Sequence, residues 1–371
     1  MKLRFKKHVA LTLISLMLLS LIGCGKPAST DTITTTEAAV TEAPAASISD
    51  AATTADSTPA DASEEGSDAQ TVYPVTVTDQ AGREVTIEKE PESIVSGYYI
   101  STSLLLALGL KDKVTGIEAK ADKRPIYKLA APEFLELPNV GTAKEFDLET
   151  CASLSPELVI LPMKLKDAAQ SLSELDIPVL LVNPESEDQL EQMIELVSTA
   201  TNTKGNADAL LSYIDEKKEM LEKDLSGVDA KSVYLAGNSS LLSTAGPAMY
   251  QSGLIELAGG KNAASEITDT YWAEISYEQL LAWDPSYIIL ASDAEYTPED
   301  VLNDENLKEC TAVKNGDVYA IPGDIEALDS PVPGGILASI WLAGILHPDQ
   351  VSADMYTEEK AAFYETFYGI K

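Results

Sequence analysis

The stretch GNADALLSYIDEKKEMLEKDL, residues 205–225, decides how the rest of the chain is arranged. Leu210, Ile214, Leu221 and Leu225 recur at helical spacing, and charged residues occupy most of the positions between them. About 20 helical residues span about 30 Å, close to the diameter of a small domain. Because strand and helix patterns alternate on both sides of it, the stretch predicts one long helix that joins two lobes. A long crossover helix within a single domain is the alternative.

The residues before this helix alternate between strand-like and helix-like patterns. We predict a β-hairpin over 75–87, strands over 93–97, 114–117, 157–161 and 177–182, and helices over 101–110 and 187–199. Strands that are separated by helices form mostly parallel sheets. The first lobe is therefore expected to be α/β.

The same alternation restarts after the long helix. We predict strands over 232–237, 287–290 and 318–321, helices over 250–258 and 275–283, and a final apolar helix over 335–346. Each half also places a proline turn between a helix and a buried strand, at Ser155-Pro156 and at Asp284-Pro285. This short internal similarity agrees with two lobes of similar construction, each with a mostly parallel sheet.

The first 24 residues have the pattern of an export signal. Four basic residues precede an apolar run over 9–22, which is too short for a comfortable membrane span. The sequence Leu-Ile-Gly before Cys24 resembles the bacterial lipobox, whose cysteine is lipidated after cleavage. We predict that Cys24 becomes the lipidated first residue at the extracytoplasmic face of the membrane.

Residues 24–71 are rich in Ala, Thr, Ser, Asp, Glu and Pro and almost lack large apolar side chains. Such a segment buries too little surface to offset the entropy cost of ordering, so a disordered tether is expected. The predicted organisation is a signal peptide over 1–23, the tether over 24–71, an N-terminal lobe over 72–202, the connecting helix over 203–227 and a C-terminal lobe over 228–371.

The charge of the chain excludes some partners. The formal charge is −34, and removal of residues 1–23 lowers it to −38 because they hold four basic and no acidic residue. So acidic a surface argues against binding to nucleic acid or to anionic lipid. Cys151 and Cys310 lie in strand-like or helix-like surroundings of different lobes, which favours two buried thiols over one disulfide.

Common catalytic and metal-binding patterns are missing after residue 23. A single histidine, His347, remains, which argues against His-based nucleophilic sites and against clustered imidazole ligands. The spacing around Gly259-Gly260-Lys261 does not fit a phosphate-binding loop, and a helix end explains these glycines better. We predict no catalytic residues, no metal site and no cofactor, although the many carboxylates leave a carboxylate-dependent hydrolase as an alternative.

A series of short motifs follows residue 73. They are Thr78-Asp79-x-x-Gly82-Arg83, Pro91-x-x-Ile94-Val95, Val140-Gly141, Asp147-Leu148-Glu149, Ser155-Pro156-Glu157-Leu158-Val159-Ile160, Ala258-Gly259-Gly260-x-Asn262, Trp272-x-x-Ile275-Ser276-x-Glu278, Asn315-Gly-Asp-Val-Tyr319-x-Ile321-Pro322, Trp341-Leu342-Ala343 and His347-Pro348. In this order they resemble the motifs of one family, the substrate-binding proteins of ABC transporters for ferric siderophores, cobalamin and haem. The resemblance covers about residues 74–371. It implies two α/β lobes joined by one long helix, the class III periplasmic-binding-protein arrangement.

The resemblance also implies a ligand cleft between the lobes and no catalysis. The positions that match the family's cleft are Tyr98, Tyr99, Ser101, Thr102, Tyr127, Ser243, Met249, Tyr250, Tyr271, Trp272, Asp329 and Ser330. Lys144 is a further predicted ligand contact, as a partial substitute for arginine. Aromatic rings on loops at strand ends stack on bulky ligands, so the residue types agree with this assignment. Glu149 and Glu278 match the two carboxylates by which family members dock on arginines of the permease dimer.

The ligand class is narrowed by the scarcity of arginine. Arg83 and Arg124 are the only arginines after residue 23, whereas many receptors for anionic siderophores line the cleft with several arginines. Lys120, Lys123 and Lys144 could partly substitute for them. A neutral or weakly anionic chelate, such as a hydroxamate siderophore or cobalamin, is therefore expected. The alternatives are haem, a molybdate-like oxyanion, a surface hydrolase or a structural adhesin. The expected receptor is a monomer that meets its ABC permease at the membrane.

Overall fold

The computed structural model describes residues 70–371. The predicted signal peptide, the lipidated Cys24 and nearly all of the predicted tether lie outside the described residues. Among residues 70–371, no helix has the length and apolar character needed to cross a membrane.

The N-terminal lobe begins with a hairpin and continues with alternating strands and helices. Its elements are β1 (Val75–Thr78), β2 (Glu84–Ile87), β3 (Ile94–Ser96), α1 (Tyr99–Ala107), β4 (Val114–Gly116), α2 (Pro125–Ala130), α3 (Leu148–Ser153), β5 (Leu158–Pro162), α4 (Lys166–Ser173), β6 (Val179–Val182) and α5 (Glu187–Thr201). Four strands form a parallel sheet in the order β4-β3-β5-β6. Every residue of β3, β5 and β6 is buried, as expected for a sheet covered on both faces.

The connecting helix is α6 (Lys204–Asp224), 21 residues long, which confirms the predicted helix within one residue at each end. Leu210, Ile214 and Leu221 are buried along one stripe. Asn206, in the first turn of α6, donates its side-chain amide to the carbonyl oxygen of Leu108 at 2.8 Å. The helix is therefore held in place in two ways. Its apolar stripe is buried, and a hydrogen bond joins its first turn to the residue after α1.

The C-terminal lobe repeats the alternation. Its elements are β7 (Lys231–Ala236), β8 (Ser243–Ala245), α7 (Tyr250–Leu257), β9 (Gly260–Asn262), β10 (Trp272–Glu274), α8 (Tyr277–Trp283), β11 (Tyr287–Leu290), α9 (Pro298–Leu302), α10 (Thr311–Asn315), β12 (Val318–Ala320), α11 (Ile336–Leu346) and α12 (Ala353–Tyr368). A second parallel sheet has the order β12-β11-β7-β9, and β8 pairs with β10 in a separate antiparallel ribbon. The predicted α/β class with two parallel sheets is confirmed.

Several elements of the C-terminal lobe were not predicted, namely β8, β9, β10, α9, α10 and α12. The helix over 335–346 is not the last one, because α12 follows it; α12 packs on α11 and reaches α1 of the other lobe. Its aromatic residues, among them Phe363 and Tyr364, are buried without a regular apolar stripe, which is why the pattern was missed. The ribbon of β8 and β10 was also missed, since neither strand contains the Val or Ile residues that mark the other short strands.

The proline turns recognised in the sequence have the same backbone in both lobes. Ser155, which precedes Pro156, has φ 50°, and Asp284, which precedes Pro285, has φ 43°. Each turn follows a short helix, α3 or α8, and leads into a central strand, β5 or β11. The short internal similarity therefore corresponds to a repeated helix–turn–strand unit.

The two cysteines and the histidine of the described chain are structural. Cys151 and Cys310 are free and buried, one in each lobe, as expected. Burial raises the pKa of the Cys151 thiol to about 12, so this thiol stays protonated and unreactive. His347 is buried and its Nε2 lies 3.0 Å from the carbonyl oxygen of Gly259, which joins α11 to the end of α7.

Candidate functional site

A cleft of about 670 Å³ lies between the two lobes, at the carboxyl ends of β3, β4 and β11. Open α/β sheets bind their ligands at this edge. Its lining comes from both lobes: Gly97, Tyr98, Tyr99, Glu118, Ala119, Lys120, Lys123, Arg124, Thr142 and Ala143 from the first, and Asp293 and Glu295 from the second. Residues from both lobes therefore face one ligand-sized volume.

A glycine follows the first strand of each sheet and lets another chain segment come close. A Cβ at Gly97, after β3, would lie 2.6 Å from the side chain of Leu161. A Cβ at Gly237, after β7, would lie 3.1 Å from the ring of Trp272. Both glycines are therefore explained by close packing at the strand ends that border the cleft.

Tyr98 and Tyr99 enter the cleft because α1 begins there. Tyr98 has an extended backbone, and its carbonyl oxygen accepts from the amide of Thr102 at 2.9 Å and from the hydroxyl of Ser101 at 2.8 Å. These bonds fix the first turn of α1, so the two tyrosine rings are held edge to face, 5.4 Å apart. Both predicted tyrosines line the cleft.

Tyr99 and Arg124 are the contacts by which the N-terminal wall reaches the other lobe. The guanidinium of Arg124 stacks on the ring of Tyr99, 4.0 Å from its centroid, and lies 3.8 Å from the carboxylate of Asp293. The hydroxyl of Tyr99 donates to the hydroxyl of Ser330 at 2.8 Å. The two lobes are thus joined by side chains at the inner end of the cleft.

The two walls of the cleft carry opposite charges. Lys120, Lys123 and Arg124 lie on the N-terminal wall, and Asp293 and Glu295 lie on the C-terminal wall. Each group follows a strand, β4 in the first lobe and β11 in the second. A ligand in this cleft meets cationic donors on one side and anionic acceptors on the other.

Glu118 is a buried carboxyl on the N-terminal wall. It accepts from the hydroxyl of Thr102 and from the hydroxyl of Tyr127, each at 2.6 Å. Burial raises the pKa of Glu118 above its ordinary value, an effect that the two hydroxyl donors and nearby Arg124 reduce. Thr102 and Tyr127, both expected to contact ligand, are buried and instead hold this carboxyl.

Asp329 holds the loop that carries the acidic wall. Its carboxylate accepts from the amide of Ser292 at 3.3 Å and from the Ser292 hydroxyl, and its own carbonyl accepts from the side chain of Gln251 at 2.7 Å. Burial raises the pKa of Asp329. Asp329 was expected to bind ligand, but its carboxylate is used to position the residue next to Asp293.

Trp272 and Tyr271 are exposed on the short ribbon of the C-terminal lobe. Trp272 is 39% exposed and Tyr271 58%, so both rings are open to a partner. The backbone of Ser243 in β8 pairs with β10, and its carbonyl oxygen accepts from the amide of Gly237 at 2.8 Å. The ribbon therefore presents Trp272 beside the end of β7.

Four remaining predicted positions lie away from the cleft lining. Ser101, Met249 and Tyr250 are buried, and Lys144 is exposed on the turn that follows Thr142 and Ala143. Ser101 lies in the first turn of α1, and Tyr250 is the first residue of α7. Both side chains are buried in the interior. A resemblance in sequence identifies these positions but does not reveal which way a side chain points.

The sequence analysis did not assign Glu118, Asp293 and Glu295 to the site. The cluster Lys120-x-x-Lys123-Arg124 in so acidic a chain was the available signal for the basic wall, and the lysines were noted as substitutes. Asp293 and Glu295 follow the end of β11, a position at which ligand contacts are common. Nothing else distinguished them among sixty acidic residues.

Glu149 and Glu278 occupy equivalent exposed positions in the two lobes. Glu149 is the second residue of α3, whose N-cap is Asp147, and Glu278 is the second residue of α8, whose N-cap is Ser276. Each glutamate precedes the proline of its repeated turn by seven residues. The repeated unit therefore carries one exposed carboxylate per lobe.

Comparison with known proteins agrees with this architecture. The family model described as "Periplasmic binding protein" matches residues 94–325, so the chain belongs to this family. A curated relative, the "Uncharacterized ABC transporter substrate-binding lipoprotein YvrC" of Bacillus subtilis, is 29% identical over 70% of this chain and 82% of its own length. The "Molybdate-binding protein MolA" of Haemophilus influenzae is 24% identical over 79% of this chain and 90% of its own length.

A solved structure, that of a periplasmic solute binding protein from Veillonella parvula, superposes with a TM-score of 0.71. It is 26% identical in sequence and covers 80% of this chain and 93% of its own. The chain is a solute-binding protein of the ABC-transporter type, a family that binds small ligands and passes them to membrane permeases.

Proposed function

We propose that this chain is a lipid-anchored receptor for a compact metal chelate, a hydroxamate siderophore or a corrinoid such as cobalamin, which it delivers to an ABC importer. The observation that carries the proposal is the cleft between the lobes, with paired tyrosines and walls of opposite charge. Its volume of about 670 Å³ lies within the usual range for small-molecule sites, about 300–1,000 Å³. Cys24 would attach the receptor, a monomer, to the extracytoplasmic face of the membrane.

The charges of the cleft support a neutral or weakly anionic ligand. The cations Lys120, Lys123 and Arg124 are largely offset by Asp293 and Glu295 on the facing wall. A highly anionic catecholate would be attracted by one wall and repelled by the other. The rings of Tyr98 and Tyr99 supply stacking surface for a chelate of low charge.

A molybdate-like oxyanion is the second candidate. The three cations on one wall favour it, as does the similarity to a relative named as molybdate-binding. A tetrahedral oxyanion would occupy only a small part of the cleft and would make no use of the tyrosine rings. The volume and the aromatic lining therefore favour the chelate.

Tryptophan fluorescence tests the ligand class. The protein is titrated with ferrichrome, ferrioxamine, a ferric catecholate, cobalamin, haem and molybdate. We expect saturable quenching by a hydroxamate chelate or by cobalamin. Quenching should be reduced in Trp272→Phe, because we place the ligand against the exposed ring of Trp272, which adjoins Gly237 at the end of β7. Trp283→Phe is the matched control. Trp283 donates to Glu266 at 2.8 Å, neither residue lines the cleft, and the change should leave the response unaltered.

Three outcomes would count against the proposal. Tight binding of the catecholate alone would overturn the charge argument, and tight binding of molybdate alone would favour the second candidate. Chemical change of the bound ligand on prolonged incubation would favour the hydrolase alternative, because a receptor returns its ligand unaltered at a ratio of one to one.

We also propose that Glu149 and Glu278 dock the receptor on arginines of the permease dimer. Both carboxylates are exposed, occupy equivalent places in the two lobes and lie at the first turn of a helix. A carboxylate on each lobe gives the permease a contact that depends on the position of both lobes. Bidentate arginine pairs are the strongest partners for such groups.

Double charge reversal tests the docking proposal. Uptake by cells that carry Glu149→Arg with Glu278→Arg is expected to fall at least tenfold, with ligand binding unchanged. The matched control is Asp167→Arg with Glu299→Arg, which changes the same charges at exposed first-turn positions, one in each lobe. Normal uptake in the first pair, or an equal loss in the control pair, would show that the assignment is wrong.

A further inference from the structure

Another buried carboxyl, Glu326, lies between the lobes rather than inside one of them. It accepts from the hydroxyl of Ser103 in α1 and from the hydroxyl of Tyr364 in α12, the latter at 3.1 Å. The hydroxyl of Tyr368 lies 2.9 Å from the Ser103 hydroxyl and closes the cluster. One carboxyl thus connects the helix that carries Tyr99 with the last helix of the chain.

The surroundings of Glu326 link it to the cleft. The amide of Ile126 donates to the carbonyl of Ile325 at 3.1 Å, so the chain segment before Glu326 is bonded to the other lobe. A small cavity of about 20 Å³, enough for one water molecule, borders Glu326. The titratable and charged groups that face it are Tyr99, Lys123, Arg124, Tyr127 and Asp293 around this cavity and Tyr364 and Tyr368 from α12.

Burial decides the protonation of this carboxyl. It raises the pKa of Glu326 to about 7, against the partial effects of three hydroxyl donors and of Arg124. In a locally opened interface the carboxyl would be hydrated and would regain a pKa near the ordinary 4.5. Protonation therefore favours the closed contact, and ionisation favours its opening.

We propose that Glu326 is a proton-controlled link between the two lobes: its neutral form holds α1 against α12, and its ionised form loosens that contact. Because α1 also carries Tyr99, which lines the cleft, protonation of Glu326 affects the position of this cleft residue. The inference goes beyond the proposed ligand and does not depend on it.

Hydrogen exchange of ligand-free protein tests the link. The reporter is the protection factor, corrected for the chemical exchange rate, of amides over 363–368 in the second half of α12. In the wild type we expect protection to fall by up to about tenfold per pH unit between pH 5 and 7. Above about pH 7 the protection factor should become independent of pH, because Glu326 is then ionised in the closed state as well. In Glu326→Gln the protection should not change with pH.

A matched control is available in Glu118→Gln. Glu118 is also buried and accepts from two hydroxyls, but Thr102 and Tyr127 both belong to the N-terminal lobe. The fall at 363–368 should therefore persist in this variant. A wild-type protection factor that stays level with pH, or a fall that persists in Glu326→Gln, would overturn the proposal.

Tyr364→Phe keeps the test decisive if Glu326→Gln fails to fold. This change removes a donor that favours the ionised carboxyl, so the levelling of protection should move to higher pH. An unchanged or lower levelling pH would contradict the link. Because no ligand is present, the result is separate from that of the fluorescence titration.

Discussion

The N-terminal sheet, in the order β4-β3-β5-β6, and the C-terminal sheet, in the order β12-β11-β7-β9, each have four parallel strands, whereas the walls above them differ in charge. Both lobes contain a short helix with an exposed glutamate, a left-handed residue, a proline and a central strand. The N-terminal wall nevertheless carries cations, and the C-terminal wall carries anions. The scaffold is repeated, while recognition lies in loops that are free to diverge.

The buried carboxyls extend this comparison. Glu118 is bonded within the N-terminal lobe, and Glu326 is bonded across the lobes. The former adds to the rigidity of one wall, and the latter to the contact between lobes. The following predictions test whether the lobes are equivalent in their interiors and different only in the groups that face the cleft.

The largest effect is expected from the two central strands. Ile160 in β5 and Ile289 in β11 are fully buried, and each strand has neighbours on both sides. Ile160→Ala and Ile289→Ala should each lower the free energy of unfolding by about 2–5 kcal/mol, through lost burial and an unfilled cavity. Urea unfolding followed by circular dichroism measures both losses.

Exposed leucines provide the control for these variants. Leu175→Ala in the first lobe and Leu302→Ala in the second change a side chain that is 57% and 37% exposed. Each should shift the free energy of unfolding by no more than about 0.5 kcal/mol. If only one of the two isoleucine variants is strongly destabilised, the interiors are not equivalent.

An effect of intermediate size is expected from Glu118, which makes the free energy of unfolding depend on pH. Because burial raises its pKa, the folded chain keeps this proton at pH values where the unfolded chain, with an ordinary pKa near 4.5, has lost it. Stability is therefore lost as the pH rises above about 4.5, by up to about 1.4 kcal/mol per pH unit.

Glu118→Gln should remove this loss. The stability of the variant relative to the wild type is expected to increase as the pH rises above about 4.5 in urea titrations. Parallel pH profiles for the two proteins would contradict a raised pKa at this position. The hydrogen-exchange control described above uses the same variant.

The smallest effect is expected where the walls touch. The Arg124–Asp293 pair is 3.8 Å apart, and the two side chains are 30% and 59% exposed. A double-mutant cycle with Arg124→Ala and Asp293→Ala should therefore give a coupling of about 0.2–1 kcal/mol that decreases with added salt. A larger, salt-independent coupling would mean that the pair holds the lobes together more strongly than its exposure indicates.

Much of the fold could be predicted from sequence. The connecting helix, the hairpin and the buried strands have clear periodicities, and the structure places each within a few residues of its predicted bounds. The strands β8, β9 and β10 were not predicted, because they lack the Val or Ile residues that mark the equally short β3, β4 and β12. Helix α12 was missed because aromatic and charged residues alternate along it, and its burial depends on α1 and α11.

The candidate site could be predicted in kind but only partly in detail. Tyr98 and Tyr99 line the cleft, Ser330 accepts from the Tyr99 hydroxyl across the lobes, and Trp272 is exposed near Gly237 at the end of β7. Thr102, Tyr127 and Asp329 lie close by, but their polar atoms are used by neighbouring protein groups. No sequence pattern identified Glu326 as a buried residue between the lobes, because its hydrogen-bond partners are 223 and 38 residues away in the chain.

The sequence by itself determined the two lobes, the helix between them and the family, because hydrophobic periodicity and local turn residues act over short stretches of chain. Tertiary structure alone decided which charges face each other across the cleft and which carboxyls are buried. These properties depend on contacts between residues that are distant in sequence, and only the packing of the two lobes brings those residues together.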